Sequence, residues 1–248
     1  MSDHIKLCVV LPVYNHPHCL VKIVSEFAEK NLPIILVDDG SDNACQYLID
    51  RLADEFQSVC LERHPTNRGK GAAIKTGLCL ALQQGYTHAL QIDADGQHTL
   101  DDVPKFVQAM ERQPMALIAG YPDYDDSVPR HRYYGRYASH IWVWVNTLST
   151  SIVDSMCGFR IYPLDASVDL IVREKLGDRM DFDGEFIVRW FWYGKPLSQM
   201  STRVTYPKNG TSHFQLFSDN WLIACMHTRL FFGMLRRLPI LLMRKWQF

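Results

Sequence analysis

No stretch of about 18 uninterrupted apolar residues occurs in this 248-residue chain, so the sequence offers no membrane-spanning helix. It also lacks an excess of either charge. Lys and Arg number 26 against 27 Asp and Glu, a formal net charge of −1, which excludes whole-molecule attraction to nucleic acid. Paired cysteines are missing as well. The seven cysteines (Cys8, Cys19, Cys45, Cys60, Cys79, Cys157 and Cys225) are odd in number and never form a C-x-x-C pair. That pattern excludes a disulfide framework or a zinc ribbon and reads as buried free thiols in a reducing compartment. Met1 to Lys6 carries no apolar signal region, so the expected address is the cytoplasm. There is no internal repeat, low-complexity run or linker. With 47% hydrophobic residues, the chain has apolar material for the core of one large α/β domain.

What is present is an alternation of short apolar runs with helical periodicity. Leu7–Leu11, Ile34–Val37, Ser58–Arg63, His88–Ile92 and Ala116–Ala119 read as strands, the first two apolar enough to be buried on both faces. Cys19–Lys30, Asn43–Phe56, Gly69–Gln84 and Leu100–Gln113 read as helices between them. The order predicts a mostly parallel sheet with helices on both faces. Past residue 120 the pattern changes. Asp123–Arg132 reads as a polar loop, Arg136–Leu148 and Phe182–Tyr193 as helices, and Gly158–Tyr162 and Arg203–Tyr206 as strands. We expect a domain over residues 1–219 and an apolar, basic C-terminal segment over 220–248 that Pro239 breaks in two.

In parallel sheets, ligands bind at the carboxyl ends of strands. Three polar clusters should therefore share one edge: Val13-Tyr14-Asn15, Asp38-Asp39-Gly40-Ser41 and Asp93-Ala94-Asp95. Asp93 and Asp95 are two apart where a buried strand runs out, so in extended backbone they face the same way. Carboxylates held together repel unless a cation neutralises them, and Mg²⁺ or Mn²⁺ suits oxygen ligands of this kind, with phosphate completing the shell. A solvated turn with an Asp helix cap is the alternative for these two residues alone. Asp39 can accept hydrogen bonds from ribose or a base edge, and its alternative is an ordinary Asp-Gly turn. Asn67-Arg68-Gly69-Lys70-Gly71 opens a helix with glycines and cations, which favours an anion, although the Walker spacing is absent.

In combination, these segments resemble the family 2 inverting glycosyltransferases of the GT-A fold. The matching segments are Val9 to Asn15, Val37 to Ser41, Asn67 to Ala73 and Asp93 to His98. The later half resembles the branch that glycosylates polyprenyl phosphates, through Asp154 to Arg160, Asp181 to Glu185, and Thr205 to Phe214. It departs from that branch at His213, where lysine is usual, and in ending without the transmembrane helices that many members carry.

The resemblance implies a nucleotide-diphosphate sugar donor, Mg²⁺ or Mn²⁺ held by Asp93, Asp95 and Gln97, and inversion at the anomeric carbon. Donor contacts are expected from Pro12, Tyr14, Asn15, Asp39, Asn67, Lys70, Gly71, Asp93, Ala94 and Arg203. Asp95, Asp183, Glu185 and Arg160 are expected at the reacting centre, with Asp183 or Glu185 as the base if the acceptor is a sugar hydroxyl. A lipid phosphate needs cations instead, and Arg130, Arg132, Arg136 and Arg160 are candidates, with Asp154 and Ser212 nearby. A solvated basic face is the alternative for the first three. From Asn220 to Phe248 there is no acidic residue. That composition fits a helix lying at a lipid surface, or a core-packing helix with a basic end. A nucleotidyltransferase and an idle membrane-surface domain are the competing readings.

Overall fold

The computed structural model describes residues 5–124, 130–204 and 216–245. Strands β1 (Leu7–Val13), β2 (Ile34–Asp38), β3 (Val59–Arg63) and β4 (His88–Gln91) alternate with helices α1 (Pro17–Glu29), α2 (Asn43–Glu55) and α3 (Lys70–Gln83). There follow α4 (Val103–Arg112), β5 (Leu117–Tyr124), α5 (Arg130–Thr147), β6 (Arg160–Pro163), α6 (Leu164–Arg173), α7 (Phe182–Trp192), β7 (Leu197–Val204) and α8 (Leu216–Lys245). The strands form one sheet in the order β3-β2-β1-β4-β6-β5-β7.

Every residue of β2 is buried, as is all of β1 after Leu7, because helices cover both faces. On one face Val9, Leu11, Ile34 and Leu36 pack under Leu20, Val24 and Phe27 of α1 and Phe106 of α4. On the other, Val10, Ile35 and Val37 meet Ile74 and Leu78 of α3, and the same cluster continues through Phe186 and Trp190 of α7. The alternation of these side chains along each strand divides the core into two layers.

Four features differ from expectation. Strand β6 runs antiparallel between β4 and β5, with Leu90 and Ile118 both opposite Ile161. As a result the start of β6, not its end, reaches the edge where β1, β2 and β4 finish, and it delivers residues 154–160 there. β5 extends to Tyr124 because it pairs with all of β7, which itself begins at Leu197, and α5 begins at Arg130, so residues 123–124 and 130–132 of the expected loop are strand and helix. Helix α6 was not anticipated, although its buried Leu164, Ser167 and Leu170 sit on one helical face. Finally, α8 is continuous through Pro239. Proline removes one intrahelical bond, but Leu230, Met234 and Leu241 are buried in the core on both sides of it and hold the helix in line. One face of the C-terminal segment is therefore core. The opposite face exposes Phe217, Trp221, Phe232, Leu235, Leu242 and Met243. No helix of the described residues is long and apolar enough to cross a membrane.

Candidate active site

The carboxyl ends of β1, β2 and β4 meet as predicted, and hydrogen bonds between their turns fix the arrangement. Asn15, at φ 52°, accepts from Asp42 N through its side chain at 2.8 Å, and its own N–H donates to Ser41 Oγ at 3.1 Å. Pro12 is buried within β1, and Tyr14 and Asn15 are half-buried just beyond it.

Asp39 is tied to the neighbouring loop. It is 2% exposed and accepts from Arg68 N (2.9 Å), Gly69 N (2.7 Å) and His64 Nδ1 (2.7 Å). Its carboxylate thus holds the loop that opens α3 against the end of β2. That loop carries Asn67 and ends at Gly69, whose φ of 106° is closed to side chains bearing a Cβ.

The first residue of α3 is Lys70. Its Nζ donates to Asp93 Oδ2 at 2.8 Å and pairs with Asp183 Oδ2 at 3.1 Å. Burial would lower its pKa, but Asp183 and Asp93 outweigh burial and raise it, so the ammonium stays charged. Burial would likewise raise the pKa of Asp93, but Lys70 and then His98 hold it below the usual carboxylate range. Behind this pair the Tyr162 hydroxyl donates to Gln91 Oε1 (2.7 Å), and Gln91 Nε2 reaches Asp183 Oδ1 (3.5 Å). The result is a continuous polar chain from the sheet interior to the edge.

Asp93 Oδ1 is buried and has no hydrogen-bond partner. A Cβ on Gly158 would overlap this carboxylate, so the absence of a side chain there is what admits it. Two residues on, Asp95 Oδ1 accepts from Gln97 N at 3.0 Å across Gly96, which has φ 70°. Ala94 between them is buried. Among the described residues no three His, Cys, Asp or Glu side chains gather as a complete metal cage. An unpartnered buried carboxylate oxygen, with a second carboxylate two residues on, nevertheless fits Mg²⁺ or Mn²⁺, which commonly takes one or two protein oxygens and fills its shell with water and phosphate. Arg203 is exposed at the end of β7, which bridges His98 through Val204, so it stands beside the same loop.

Three expected contributors are committed elsewhere. Arg160 is fully buried and donates to the carbonyls of Cys157 (2.9 Å), Asp183 (2.9 Å) and Ser155 (2.7 Å). It ties the 155–160 turn to α7 and has no face for an acceptor phosphate. Glu185 is fully buried and pairs with Arg189 at 2.8 Å and Arg229 at 2.9 Å, away from Lys70. Asp154 accepts from Arg136 Nη2 at 2.7 Å, from His140 at 3.0 Å and from two backbone N–H groups. Burial opposes its ionisation, but Arg136 and His140 depress its pKa well below the usual range. Asp154 therefore locks α5 to the 154–157 turn, and Arg136 is neutralised there. Arg130 and Arg132 belong to the first turn of α5. Ser212 lies outside the described residues.

The Glycosyl transferase family 2 model matches residues 8–167, about two thirds of the chain. The chain belongs to glycosyl transferase family 2. This glycosyltransferase is 26% identical over 226 residues to a dolichyl-phosphate beta-glucosyltransferase of Dictyostelium discoideum, covering 82% of this chain and 67% of that protein. It is also 26% identical over 199 residues to a dolichyl-phosphate beta-glucosyltransferase of Trichomonas vaginalis, covering 72% of this chain but 59% of the relative's length. Among solved structures, glucosyl-3-phosphoglycerate synthase from Mycobacterium tuberculosis, in complex with Mn²⁺ and uridine-diphosphate-glucose, superposes with a TM-score of 0.66. It is 14% identical, and the match covers 94% of this chain and 79% of that one. The fold is the GT-A arrangement that the sequence resemblance implied.

Sequence reasoning missed several residues that shape the glycosyltransferase site. Gln91 and Tyr162 lie inside strands and look like ordinary strand residues. His98, whose pKa burial lowers to about 4 against the opposing charge of Asp93, closes the Asp93 to His98 segment. Gly158 lies within the segment already singled out, and a glycine next to an aromatic at a strand start was the available signal.

Proposed function

We propose that this glycosyltransferase moves a hexose from a GDP- or UDP-sugar to a polyprenyl phosphate, or another lipid-linked acceptor, with inversion at the anomeric carbon. The observation that carries the reading is Lys70 held on Asp93 at the carboxyl edge, with an unpartnered Asp93 oxygen and Asp95 two residues on. Asp95 and Asp93 would hold Mg²⁺ or Mn²⁺, with Gln97 close by. Bound there, the ion supplies positive charge that stabilises the departing diphosphate. Lys70, kept cationic by its two carboxylates, adds to that charge, and Arg203 can reach the same side. The donor lies along Tyr14, Asn15 and the loop of Asn67, with Ala94 beside it.

An acceptor phosphate oxygen attacks the anomeric carbon in line. The bond from that carbon to the diphosphate oxygen breaks, and its electron pair leaves with the nucleoside diphosphate. A phosphate acceptor is already anionic and needs no base. This suits a site in which Asp183 is tied to Lys70 and Arg160 supports the backbone. Arg130 and Arg132, on the first turn of α5, are proposed to seat that phosphate, with Ser212.

The acceptor class and the exposed apolar face of α8 together support peripheral attachment at the cytoplasmic face of a membrane. The dolichyl-phosphate relatives act on lipid-linked acceptors by name, and the outer face of α8 combines Trp221 and Phe232 with Arg236 and no acidic residue. The direct test is turnover of GDP- and UDP-hexoses with a short polyprenyl phosphate and Mn²⁺. The reading expects nucleoside diphosphate and an anomerically inverted lipid product. Release of pyrophosphate would mean nucleotidyl transfer instead.

A further inference from the structure

The N-terminal turn of α3, which carries Lys70, does not stand on the sheet alone. Ala72 N donates to Asp178 O at 2.8 Å, and Lys75 Nζ reaches Leu176 O (3.2 Å) and Asp178 Oδ1 (2.6 Å). A Cβ on Gly71 would overlap Phe182 and the backbone at Gly177 and Asp178, so helix and loop are in close contact. The 177–181 loop is the seat of Lys70.

Two carboxylates shape that seat. Glu185 Oε2 accepts from Gly177 N at 2.9 Å, and Asp181 Oδ1 accepts from Arg179 N at 3.2 Å. They flank Asp183, the second partner of Lys70. Both are buried, and both are held by one residue of a distant element. Arg229 Nη2, on α8, donates to Glu185 Oε2 at 2.9 Å and to Asp181 Oδ2 at 3.3 Å. Arg189 supplies further charge to Glu185, but among the described contacts Asp181 has Arg229 as its cation.

We propose that Arg229 is a positioning residue for the donor site. By neutralising Asp181 and Glu185 it fixes the 177–181 loop, and through that loop the height and direction of Lys70 over Asp93. Arg229 never touches donor or acceptor. It makes the geometry of the site depend on the seating of α8, the helix whose opposite face is exposed. This rests on the proposed donor site, and the test separates the two.

The test compares wild type, Arg229→Gln and Arg229→Lys in the full chain. It uses Mn²⁺ with GDP and Mn²⁺ with UDP as binding probes, and hydrogen exchange at the amides of 69–76 and 177–185. The proposal expects Arg229→Gln, assayed well below its melting temperature, to bind the preferred Mn²⁺–diphosphate at least about fivefold more weakly, the lower end of ordinary coupling between sites. Exchange should accelerate in both segments, and Arg229→Lys should recover most of the affinity. Changed exchange confined to α7 and α8, with protection at 69–76 and affinity intact, would overturn it. If wild type binds neither nucleotide, the donor reading fails, but exchange at 69–76 still decides whether Arg229 governs the seat of Lys70.

Discussion

Lys70 Nζ lies 2.8 Å from Asp93 Oδ2, bringing the first residue of a helix onto the first carboxylate of the Asp93-Ala94-Asp95 segment. Asp183 shares the same ammonium at 3.1 Å. Substituting Lys70→Met leaves Asp93 without its ammonium and Asp183 with Arg160 alone, at 3.7 Å. Both Lys70 and Asp93 keep about a fifth of their side-chain surface exposed. The loss should therefore fall between the about 0–1 kcal/mol of exposed pairs and the about 3–5 kcal/mol of fully buried ones, in a urea melt at neutral pH. A variant as stable as wild type would show that the pair contributes nothing to the fold.

Gly158 tests the site without removing any polar group. Gly158→Ala introduces a methyl where the Asp93 carboxylate lies. We expect a stability cost of about 1–3 kcal/mol, as for other overpacked sites, and loss of Mn²⁺-dependent nucleotide binding in the fraction that remains folded. Binding equal to wild type would mean that Asp93 can move aside without consequence.

The fold should lose stability as pH falls from about 6.5 to about 4, partly through His227. Burial between α5 and α8 lowers its pKa to about 4, below the ordinary 6.5. Its Nδ1 faces the Asn146 amide at 3.3 Å, and its ring lies against Trp142. In that window the unfolded chain binds the proton and the folded chain does not, so stability rises with pH by at most about 1.4 kcal/mol per unit for this group. Chemical denaturation of His227→Gln across pH 4 to 7 should give a shallower slope than wild type. Identical slopes would remove His227 from the account.

The exposed side of α8 can be tested without touching its buried side. Deleting residues 230–248 would also remove Leu230, Met234 and Leu241 from the core, so truncation confuses binding with folding. Trp221 and Phe232 are 71% and 59% exposed. The pair Trp221→Ser and Phe232→Ser should leave the melting temperature within about 0.5 kcal/mol of wild type in stability terms. It should abolish most cosedimentation with vesicles containing anionic lipid. Undiminished cosedimentation would move the contact to another surface.

Much of this architecture was legible because buried parallel strands leave continuous apolar runs, and ligand residues follow where those runs stop. Leu7–Val13 and Ile34–Asp38 are such cases, and the convergence of Asn15, Ser41 and Asp93 followed from them. The antiparallel β6 was not legible, since a four-residue strand carries no mark of direction. Nor could the sequence say which charged residues would be consumed by the fold. Arg160, Asp154 and Glu185 fall in segments with the right pattern, but each is spent within the protein, on backbone groups, an opposite charge or both, and that depends on how α5, α7 and α8 pack against those segments. Pro239 misled for a related reason, because tertiary packing on either side of it outweighs one lost backbone bond.

On the proposed function, Asp95, with Asp93 and Lys70, forms a metal-dependent diphosphate site. Its most direct test is the thermal shift given by GDP and UDP, with and without Mn²⁺, in wild type and Asp95→Ala. At 100 times its Kd a ligand adds about 2.7 kcal/mol, roughly 5–10 °C for a chain of this size. We expect a Mn²⁺-dependent shift with one nucleotide in wild type, and none in Asp95→Ala, whose ligand-free melting temperature stays near that of wild type. An equal shift in both proteins, or none in wild type with either nucleotide, would contradict it.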